Sequence, residues 1–181
     1  MAVKRKNILL GVTASIAIYK ACEIASRLLE GDFTVSVVMT GHAARLISAR
    51  VFSSLVGGPV YCDEFQHPAD WDIEHISLAK KADLLLIAPA TANIIGKIAS
   101  GIADDLLSTT VMATRAPVLI APAMNENMYK NKIVQENIRK LKGLGFKFIG
   151  AETGRLACGD IGVGRLAEVE TIVRQVKRLL K

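Results

Sequence analysis

Leu84-Leu-Leu-Ile-Ala-Pro-Ala-Thr-Ala-Asn93 is the stretch that decides the fold. Its first half is a nearly continuous apolar run, which predicts a strand over residues 84–88 that is buried on both faces. Thr91 is a typical helix N-cap residue, and we predict a helix from Thr91 to Ser100. A buried strand that turns directly into a helix is the repeating unit of a parallel sheet covered by helices.

The same unit recurs along the chain. Further apolar, β-branched runs predict strands at Ile8–Val12, Thr34–Met39, Val118–Ala121 and Phe146–Ile149. Helices are predicted at Ser15–Glu30, Ala43–Ser48, Asp104–Ala113, Asn131–Lys142 (with Gly143 and Gly145 as stop signals) and Glu168–Lys181. The sequence therefore predicts an α/β fold: a single doubly wound parallel sheet, Rossmann-like or flavodoxin-like, with helices on both faces, in one domain over residues 1–181.

The composition is that of one globular domain and argues against several classes of partner. The 181 residues are 51% hydrophobic and 22% charged, and no uninterrupted apolar stretch is long enough to predict a membrane span. The 23 Lys and Arg exceed the 17 Asp and Glu, but they are spread out, which favours small anionic ligands over nucleic acid. Cys22, Cys62 and Cys158 are scattered, so we expect no disulfide framework and a reducing, cytoplasmic location.

The amino-terminal segment has the superficial pattern of a signal peptide, since Lys4-Arg5-Lys6 precedes an apolar run. The continuation has helical spacing instead. Its apolar residues are Ala17, Ala21, Ile24 and Leu28, and its opposite face carries Lys20, Glu23, Arg27 and Glu30. We therefore expect the amphipathic helix of a folded domain.

Three predicted strands end in small and polar residues: Gly11-Val-Thr-Ala-Ser15, Met39-Thr40-Gly41 and Pro89-Ala-Thr-Ala-Asn93. None of them matches the dinucleotide fingerprint GxGxxG or the P-loop pattern. In open α/β sheets, ligands bind at such strand ends, where the next helix offers free N–H groups. Ser15 and Thr91 therefore either donate hydrogen bonds to a phosphate or act as plain N-caps, and the residues alone leave both open.

A fourth strand end, Pro122-Ala-Met-Asn-Glu-Asn-Met-Tyr129, has an unusual composition for a surface turn, with two methionines and two amides. It predicts a binding site at the same sheet edge. The structural alternative is a helix that begins with Asn125 as its cap and that buries Met124 and Met128 in the core.

A glycine-rich stretch, residues 152–165, separates the last predicted strand from the last helix. It is either a flexible connector or a functional flap that covers a substrate. Cys158 lies within it, where a thiol is accessible to chemistry.

His75 has apolar neighbours and is either a packed core residue or a catalyst. Because HExxH and Cys/His clusters are lacking, we expect no metal site.

Six segments in one order resemble the homo-oligomeric flavin-containing cysteine decarboxylases, most closely the branch that acts on 4′-phosphopantothenoylcysteine in coenzyme A biosynthesis. They are Gly11-Val-Thr-Ala-Ser-Ile-Ala-Ile-Tyr-Lys20, His75, Pro89-Ala-Thr-Ala-Asn93, Gly101-Ile-Ala-Asp-Asp-Leu-Leu107, Pro122-Ala-Met-Asn-Glu-Asn-Met-Tyr129 and Ala157-Cys-Gly-Asp-Ile-Gly-Val-Gly-Arg165. The Pro-Ala-Met-Asn segment and the cysteine-bearing flap are the specific parts.

The resemblance implies a reaction with FMN as cofactor. A cysteine carboxylate does not lose CO₂ unless the electrons left behind have somewhere to go. Flavin oxidation of the CH₂–SH group to a thioaldehyde provides that sink, and decarboxylation then gives an enethiol. In the coenzyme A branch the enethiol is reduced and protonated to 4′-phosphopantetheine. The resemblance also implies self-association as a homotrimer or dodecamer.

The resemblance assigns roles to individual residues. His75 matches the catalytic histidine, and Cys158 matches the flap cysteine that donates the last proton. Asn125 matches the residue that holds the substrate's carboxylate and amide. The remaining substrate-binding matches are Met128, Ala157 and Gly159, and the FMN-binding matches are Ala14, Ser15, Ile16, Thr40, Thr91, Ala92, Asn93 and Ile94.

Two departures and two alternatives accompany this interpretation. Ala14 replaces a common glycine, which is tolerated unless the position needs a positive φ. Tyr129 stands where the family often has Trp, a replacement that keeps an aromatic wall. A peptidyl-cysteine decarboxylase, which stops at the enethiol, and a catalytically silent flavin-binding regulatory relative are the alternatives. His75 and Cys158 argue against the silent relative, and Cys158 argues against the enethiol-stopping enzyme.

Overall fold

A single parallel sheet organises the computed structural model, which describes residues 5–63, 74–157 and 159–181. Its strands are β1 (Asn7–Val12), β2 (Thr34–Met39), β3 (Val60–Tyr61), β4 (Leu84–Ala90), β5 (Val118–Pro122) and β6 (Lys147–Phe148). Their spatial order is β3-β2-β1-β4-β5-β6, and every pair is parallel. This is the Rossmann order rather than the flavodoxin order, so the chain reverses direction across the sheet between β1 and β4.

Helices cover both faces of the sheet, as predicted. They are α1 (Tyr19–Glu30), α2 (Gly41–Leu46), α3 (Ala49–Val56), α4 (Glu74–Lys81), α5 (Ala92–Ser100), α6 (Leu106–Ala113), α7 (Glu126–Lys130), α8 (Lys132–Gly143) and α9 (Val169–Leu179), with a 3₁₀ turn at Ile16–Ile18 before α1. Helices α1, α3 and α9 bury apolar side chains in one core cluster, and α4, α5, α6 and α8 do so in a second. Burial of these side chains from water on both faces is the main stabilising term of the fold.

The predicted strands are all present, and the last is shorter than expected at Lys147–Phe148. The sequence analysis missed β3, α3 and α4, whereas α7 is the helix capped by Asn125 that it gave as the structural alternative for the Pro122–Tyr129 segment. Both predicted stop signals lie at the end of α8: Gly143 is its last residue, one position beyond the predicted end at Lys142, and Gly145 follows in the left-handed conformation at φ 97°. A glycine in the left-handed conformation is the usual way to end a helix.

The glycine-rich stretch is an ordered antiparallel hairpin of β7 (Glu152–Arg155) and β8 (Ile161–Arg165), separate from the main sheet. Its tip is closed by hydrogen bonds from Leu156 N to Asp160 O (2.8 Å) and from Gly159 N to Leu156 O (3.0 Å). The stretch therefore has regular secondary structure, and the choice between a flexible connector and a flap stays a prediction. The alternative, a flap, is compatible with this hairpin.

Within the described ranges, no helix is both long enough and apolar enough to cross a bilayer. The same residues contain no group of three or more His, Cys, Asp and Glu side chains that could hold a metal ion.

Candidate active site

A cleft of about 710 Å³ opens at the carboxyl ends of β1, β4 and β5, where the strand order reverses. This is the position at which open α/β sheets bind their ligands. The lining residues come from four parts of the chain: Ala14, Ser15, Ile16, Ala17, Tyr19 and Lys20 after β1; Thr91 after β4; Ala123, Met124, Asn125 and Met128 after β5; and Arg155, Leu156, Ala157, Gly164, Arg165 and Leu166 from the hairpin region.

Thr13 joins the first two strand ends. Its side chain is 2% exposed. The hydroxyl donates to Pro89 O at 2.7 Å and accepts from Thr91 N at 3.1 Å, so it fixes the loop after β4 against the loop after β1. The sequence analysis missed this role. The available signal was a threonine within an otherwise small, apolar strand end.

Hydroxyl side chains cap helices at three strand ends; the caps at Ser15 and Thr91 were predicted, and the one at Thr40 was not. Ser15 Oγ accepts from Ala17 N at 3.3 Å, Thr40 Oγ1 from Ala43 N at 3.2 Å, and Thr91 Oγ1 from Ile94 N at 3.5 Å. A hydroxyl that caps a helix through its oxygen still has its own hydrogen to donate. Ser15 and Thr91 are therefore N-caps, as one of the two interpretations predicted, and their role toward a phosphate stays a prediction.

Half of the eight residues matched to FMN binding line the cleft: Ala14, Ser15, Ile16 and Thr91. Thr40, Ala92 and Asn93 lie at the same sheet edge outside the lining. Ile94 is 1% exposed and packs in the second core cluster, so its side chain is a core residue. Asp32 is the only described non-glycine residue with a positive φ, so Ala14 does not need glycine's conformational freedom.

These residues fit a flavin phosphate and part of its ring. The 3₁₀ turn after Ser15 and helix α5 after Thr91 both start at the cleft, and helix starts attract anions. Ile16, which is 66% exposed, adds an apolar side chain to the lining beside them. Hydroxyls, helix starts and an exposed apolar side chain are the groups that a phosphate joined to an aromatic ring system requires.

The Pro122–Tyr129 segment is held tightly at the cleft. Ala123 N donates to Ala90 O, and Met124 N donates to Gly164 O, both at 2.9 Å. Asn125 Oδ1 accepts from Asn127 N at 2.9 Å and so caps α7. Met128, however, is 48% exposed and lines the cleft, so its predicted alternative as a core residue is wrong. Tyr129 packs partly against the second core cluster instead of forming a cleft wall.

The hairpin docks directly on this segment. Gly164 has φ 139°, and a Cβ there would collide with the carbonyl oxygen of Met124, so only glycine allows the approach. Glu126 Oε1 accepts from Val163 N at 3.3 Å and pairs with Lys130 Nζ at 2.7 Å. The hydrogen bond from Lys130, followed by the one from Val163 N, lowers the pKa of Glu126. The hairpin therefore has a fixed position over one side of the cleft.

A charged cluster connects the hairpin with helix α1. Lys20 was expected on the solvent face of α1, but it is only 9% exposed, and its Nζ lies 3.2 Å from Glu168 Oε2. Arg165 pairs with the other oxygen of Glu168, and Glu168 N donates to Glu152 Oε1 at 3.0 Å. The sequence analysis placed Lys20 on the solvent face because it considered the spacing within α1 alone. The ion pair with Glu168, at the start of α9, is a contact that this spacing does not show.

His75 and Cys158 stand differently in relation to the cleft. His75 lies in the first turn of α4, which precedes β4 and runs antiparallel to it, so it is at the carboxyl edge of the sheet. Among the described residues that line the cleft, however, His75 is not included. Cys158 falls outside the described residues. Of its neighbours, Ala157 lines the cleft, whereas Gly159, at φ 97°, does not.

The other two cysteines are unsuited to reaction as thiolates. Cys22 and Cys62 are free and partly buried. Burial raises the pKa of both thiols, and the nearby charge of Asp63 raises that of Cys62 further. A thiol with a raised pKa is a weak nucleophile at neutral pH.

The Gly101–Leu107 segment forms an ion cluster at the start of α6. Lys97 Nζ lies 2.6 Å from Asp104 Oδ1 and 2.7 Å from Asp105 Oδ2. Burial opposes the ionisation of Asp105, but hydrogen bonds from Lys97 and Ser108 outweigh it, so the pKa of Asp105 lies below its usual value. Asp105 and Ser108 form a capping box, which identifies the segment as a helix start.

Comparison of the sequence with known proteins finds several similar ones. The chain is 47% identical over 173 residues to the coenzyme A biosynthesis bifunctional protein CoaBC of Bacillus subtilis, covering 96% of this chain and 43% of that protein. It is 41% identical over 177 residues to the probable phosphopantothenoylcysteine decarboxylase of Streptococcus mutans, covering 97% and 99%. The chain thus spans less than half the length of the CoaBC relative and nearly all of the second one.

Solved structures show the same architecture. A Cys→Ser mutant of a PPC decarboxylase complexed with pantothenoylaminoethenethiol has a TM-score of 0.85 at 29% identity, covering 97% of this chain and 98% of that one. The FMN-dependent cysteine decarboxylase SpaF has a TM-score of 0.82 at 30% identity, with 97% and 98% covered. A model of the Flavoprotein family matches residues 2–181. The chain therefore belongs to the flavoprotein family, among its flavin-containing cysteine decarboxylases.

Proposed function

We propose that this chain is an FMN-dependent carboxy-lyase that converts 4′-phosphopantothenoylcysteine into 4′-phosphopantetheine, in the reducing cytoplasm. The observation that carries the proposal is one cleft bordered by the strand ends with Ser15 and Thr91, by the Asn125 segment and by the glycine-rich hairpin. These are the three parts that the reaction needs: a flavin site, a carboxylate site and a cover. The relatives that carry this activity in their names support the choice of substrate.

The flavin is proposed to be FMN, held by Ala14, Ser15, Ile16 and Thr91. When bound, FMN supplies the oxidation of the substrate's CH₂–SH group to a thioaldehyde and accepts its two electrons. A single phosphate suits the paired helix starts after β1 and β4, which Thr13 holds at a fixed spacing. Solved neighbours described as FMN-dependent or FMN-binding support FMN over other flavins.

Asn125 is proposed to bind the substrate's carboxylate and amide, with Met128, Ala157 and Gly159 beside them. An uncharged amide orients the carboxylate without stabilising its negative charge as strongly as a cation would. That distinction matters because the carboxylate loses its charge as CO₂ when the bond breaks. The tight anchoring of Met124 and Ala123 gives Asn125 a fixed backbone from which to act.

His75 and Cys158 are proposed to exchange protons. An imidazole has two ring nitrogens that can take and return a proton, which suits histidine to general acid–base catalysis. Cys158 would donate the proton that completes 4′-phosphopantetheine after the enethiol has formed. A Cys→Ser mutant of the solved PPC decarboxylase is complexed with an aminoethenethiol, which supports a cysteine at that last step.

Self-association, as a homotrimer or dodecamer, is proposed to bring His75 to the cleft. His75 lies at the correct sheet edge but does not line the cleft of its own chain, within the described residues. Ile16 and Tyr19, which are 66% and 65% exposed, place apolar surface at the mouth of the cleft. An exposed apolar rim of this kind favours contact with a second copy.

The proposal is tested by CO₂ release from 4′-phosphopantothenoylcysteine. The purified protein is expected to bind FMN more tightly than riboflavin, because only FMN has a phosphate for the N–H groups at the two helix starts. It is expected to release CO₂ only when FMN is bound. Flavin fluorescence measures the binding, and trapped CO₂ measures the reaction. A protein that binds neither flavin after reconstitution, or that releases no CO₂ with FMN bound, would contradict the proposal.

A further inference from the structure

The lining of the cleft includes cationic side chains that are not assigned to the flavin or to the carboxylate site at Asn125. Arg155 lies on β7, is exposed and lines the cleft. Within the part of the chain that the structure describes, its guanidinium forms no hydrogen bond or ion pair. Five N–H donors on a rigid group are therefore available to a ligand in the cleft.

Lys20 and Arg165 also line the cleft, and they share one carboxylate. Lys20 Nζ lies 3.2 Å from Glu168 Oε2, and Arg165 pairs with Oε1 of the same side chain. Glu152 is the second carboxylate of the cluster and accepts from Glu168 N at 3.0 Å. Glu168 and Glu152 thus balance the charges of Lys20 and Arg165, and the charge of Arg155 is the one that no carboxylate of the described residues pairs with.

We propose that Arg155, with Lys20 and Arg165 behind it, forms a subsite for the phosphate of the substrate; this rests on the proposed function. The substrate has two anionic ends, and the neutral Asn125 takes the carboxylate. The helix starts after β1 and β4 are assigned to the phosphate of FMN. Arg155 is then the group that suits the remaining anion, because a guanidinium binds phosphate through paired hydrogen bonds.

The position of Arg155 gives the subsite a second effect. Arg155 immediately precedes the hairpin tip, which is closed by hydrogen bonds between Leu156 and Asp160 and between Gly159 and Leu156. A phosphate bound to Arg155 therefore restrains the tip as well as the ligand. Binding energy from a remote group of the substrate in this way positions groups at the reacting end.

The test compares the binding of 4′-phosphopantetheine and pantetheine to the FMN-loaded protein by calorimetry, which does not depend on turnover. The unmodified protein is expected to bind the phosphorylated compound about 100-fold more tightly. In Arg155→Gln this preference is expected to fall about tenfold, with the affinity for pantetheine unchanged. Arg155→Lys should restore part of it, because a lysine keeps the charge without the paired geometry.

Arg174→Gln is the matched control. Arg174 is an exposed arginine on α9 that bonds to Thr171 and does not line the cleft, so its loss should leave the preference unchanged. Equal affinity of the unmodified protein for both compounds, or an unchanged preference in Arg155→Gln, would overturn the subsite. Loss of FMN from Arg155→Gln with the preference intact would overturn it too, and would assign Arg155 to the flavin phosphate. Because binding is measured, a failure of CO₂ release would refute the proposed function without deciding this question.

Discussion

His75→Asn is expected to lower the rate of CO₂ release from 4′-phosphopantothenoylcysteine by about 100-fold to 10,000-fold, while FMN stays bound. Asparagine keeps hydrogen-bonding atoms at this position but cannot exchange a proton near neutral pH. The flavin should remain because the residues proposed to hold it lie after β1 and β4, on other segments than α4. Stopped assays of trapped CO₂ and the flavin absorption spectrum measure the two effects separately.

His42→Asn provides the control for this substitution. His42 is exposed on α2 and does not line the cleft, so the same change there should leave CO₂ release within about twofold of normal. Near-normal turnover in His75→Asn would return His75 to its structural alternative as a packed residue. A variant that also lost FMN and melted at a much lower temperature would point to damage of the fold instead of loss of a proton carrier.

Cys158→Ser is expected to release CO₂ in a single turnover but to form 4′-phosphopantetheine about 100-fold or more slowly. A serine hydroxyl is a far weaker acid than a thiol, whose ordinary pKa is about 8.5. Only the last protonation is affected, so the enethiol should accumulate. Mass spectrometry of the quenched reaction distinguishes the enethiol from 4′-phosphopantetheine, because the enethiol has two hydrogens fewer than 4′-phosphopantetheine.

Cys62→Ser is the matched control for the loss of a thiol. Cys62 is partly buried, and burial raises the pKa of its thiol, which makes it a poor proton donor to a ligand in the cleft. Full product formation by Cys62→Ser, beside enethiol accumulation in Cys158→Ser, would assign the last proton to the hairpin. Normal formation of 4′-phosphopantetheine by Cys158→Ser would remove the main residue that separates the coenzyme A branch from the enethiol-stopping branch.

Local sequence predicted the sheet well because its central strands are buried on both faces. Leu84–Ala90 is apolar at nearly every position, and a short run of this kind predicts a strand that is buried on both faces of a parallel sheet. Val60–Tyr61 was missed because a two-residue strand has no periodicity and follows Gly57, Gly58 and Pro59, which indicate a turn. Helix α3 did have readable signals, with Ser48 as its N-cap and Gly57 at its left-handed end.

The sequence predicted those residues of the candidate site whose positions follow from the strand or helix to which they belong. Ser15 and Asn125 sit at strand ends, and their positions follow from the parallel sheet. Thr13 and Lys20 depend on partners far along the chain, Pro89 and Glu168, which no local pattern reveals. The hairpin was hidden for a similar reason, because Gly164 is required by the approach of Met124 and not by any turn in its own sequence.

The mass of the product that the unmodified, FMN-loaded protein forms from 4′-phosphopantothenoylcysteine tests the central claim most directly. The account predicts 4′-phosphopantetheine, a compound that is lighter than the substrate by one CO₂ and has kept all its other hydrogens. A product lighter by CO₂ and two hydrogens would show an enzyme that stops at the enethiol. Unchanged substrate would contradict the assignment of a decarboxylase altogether.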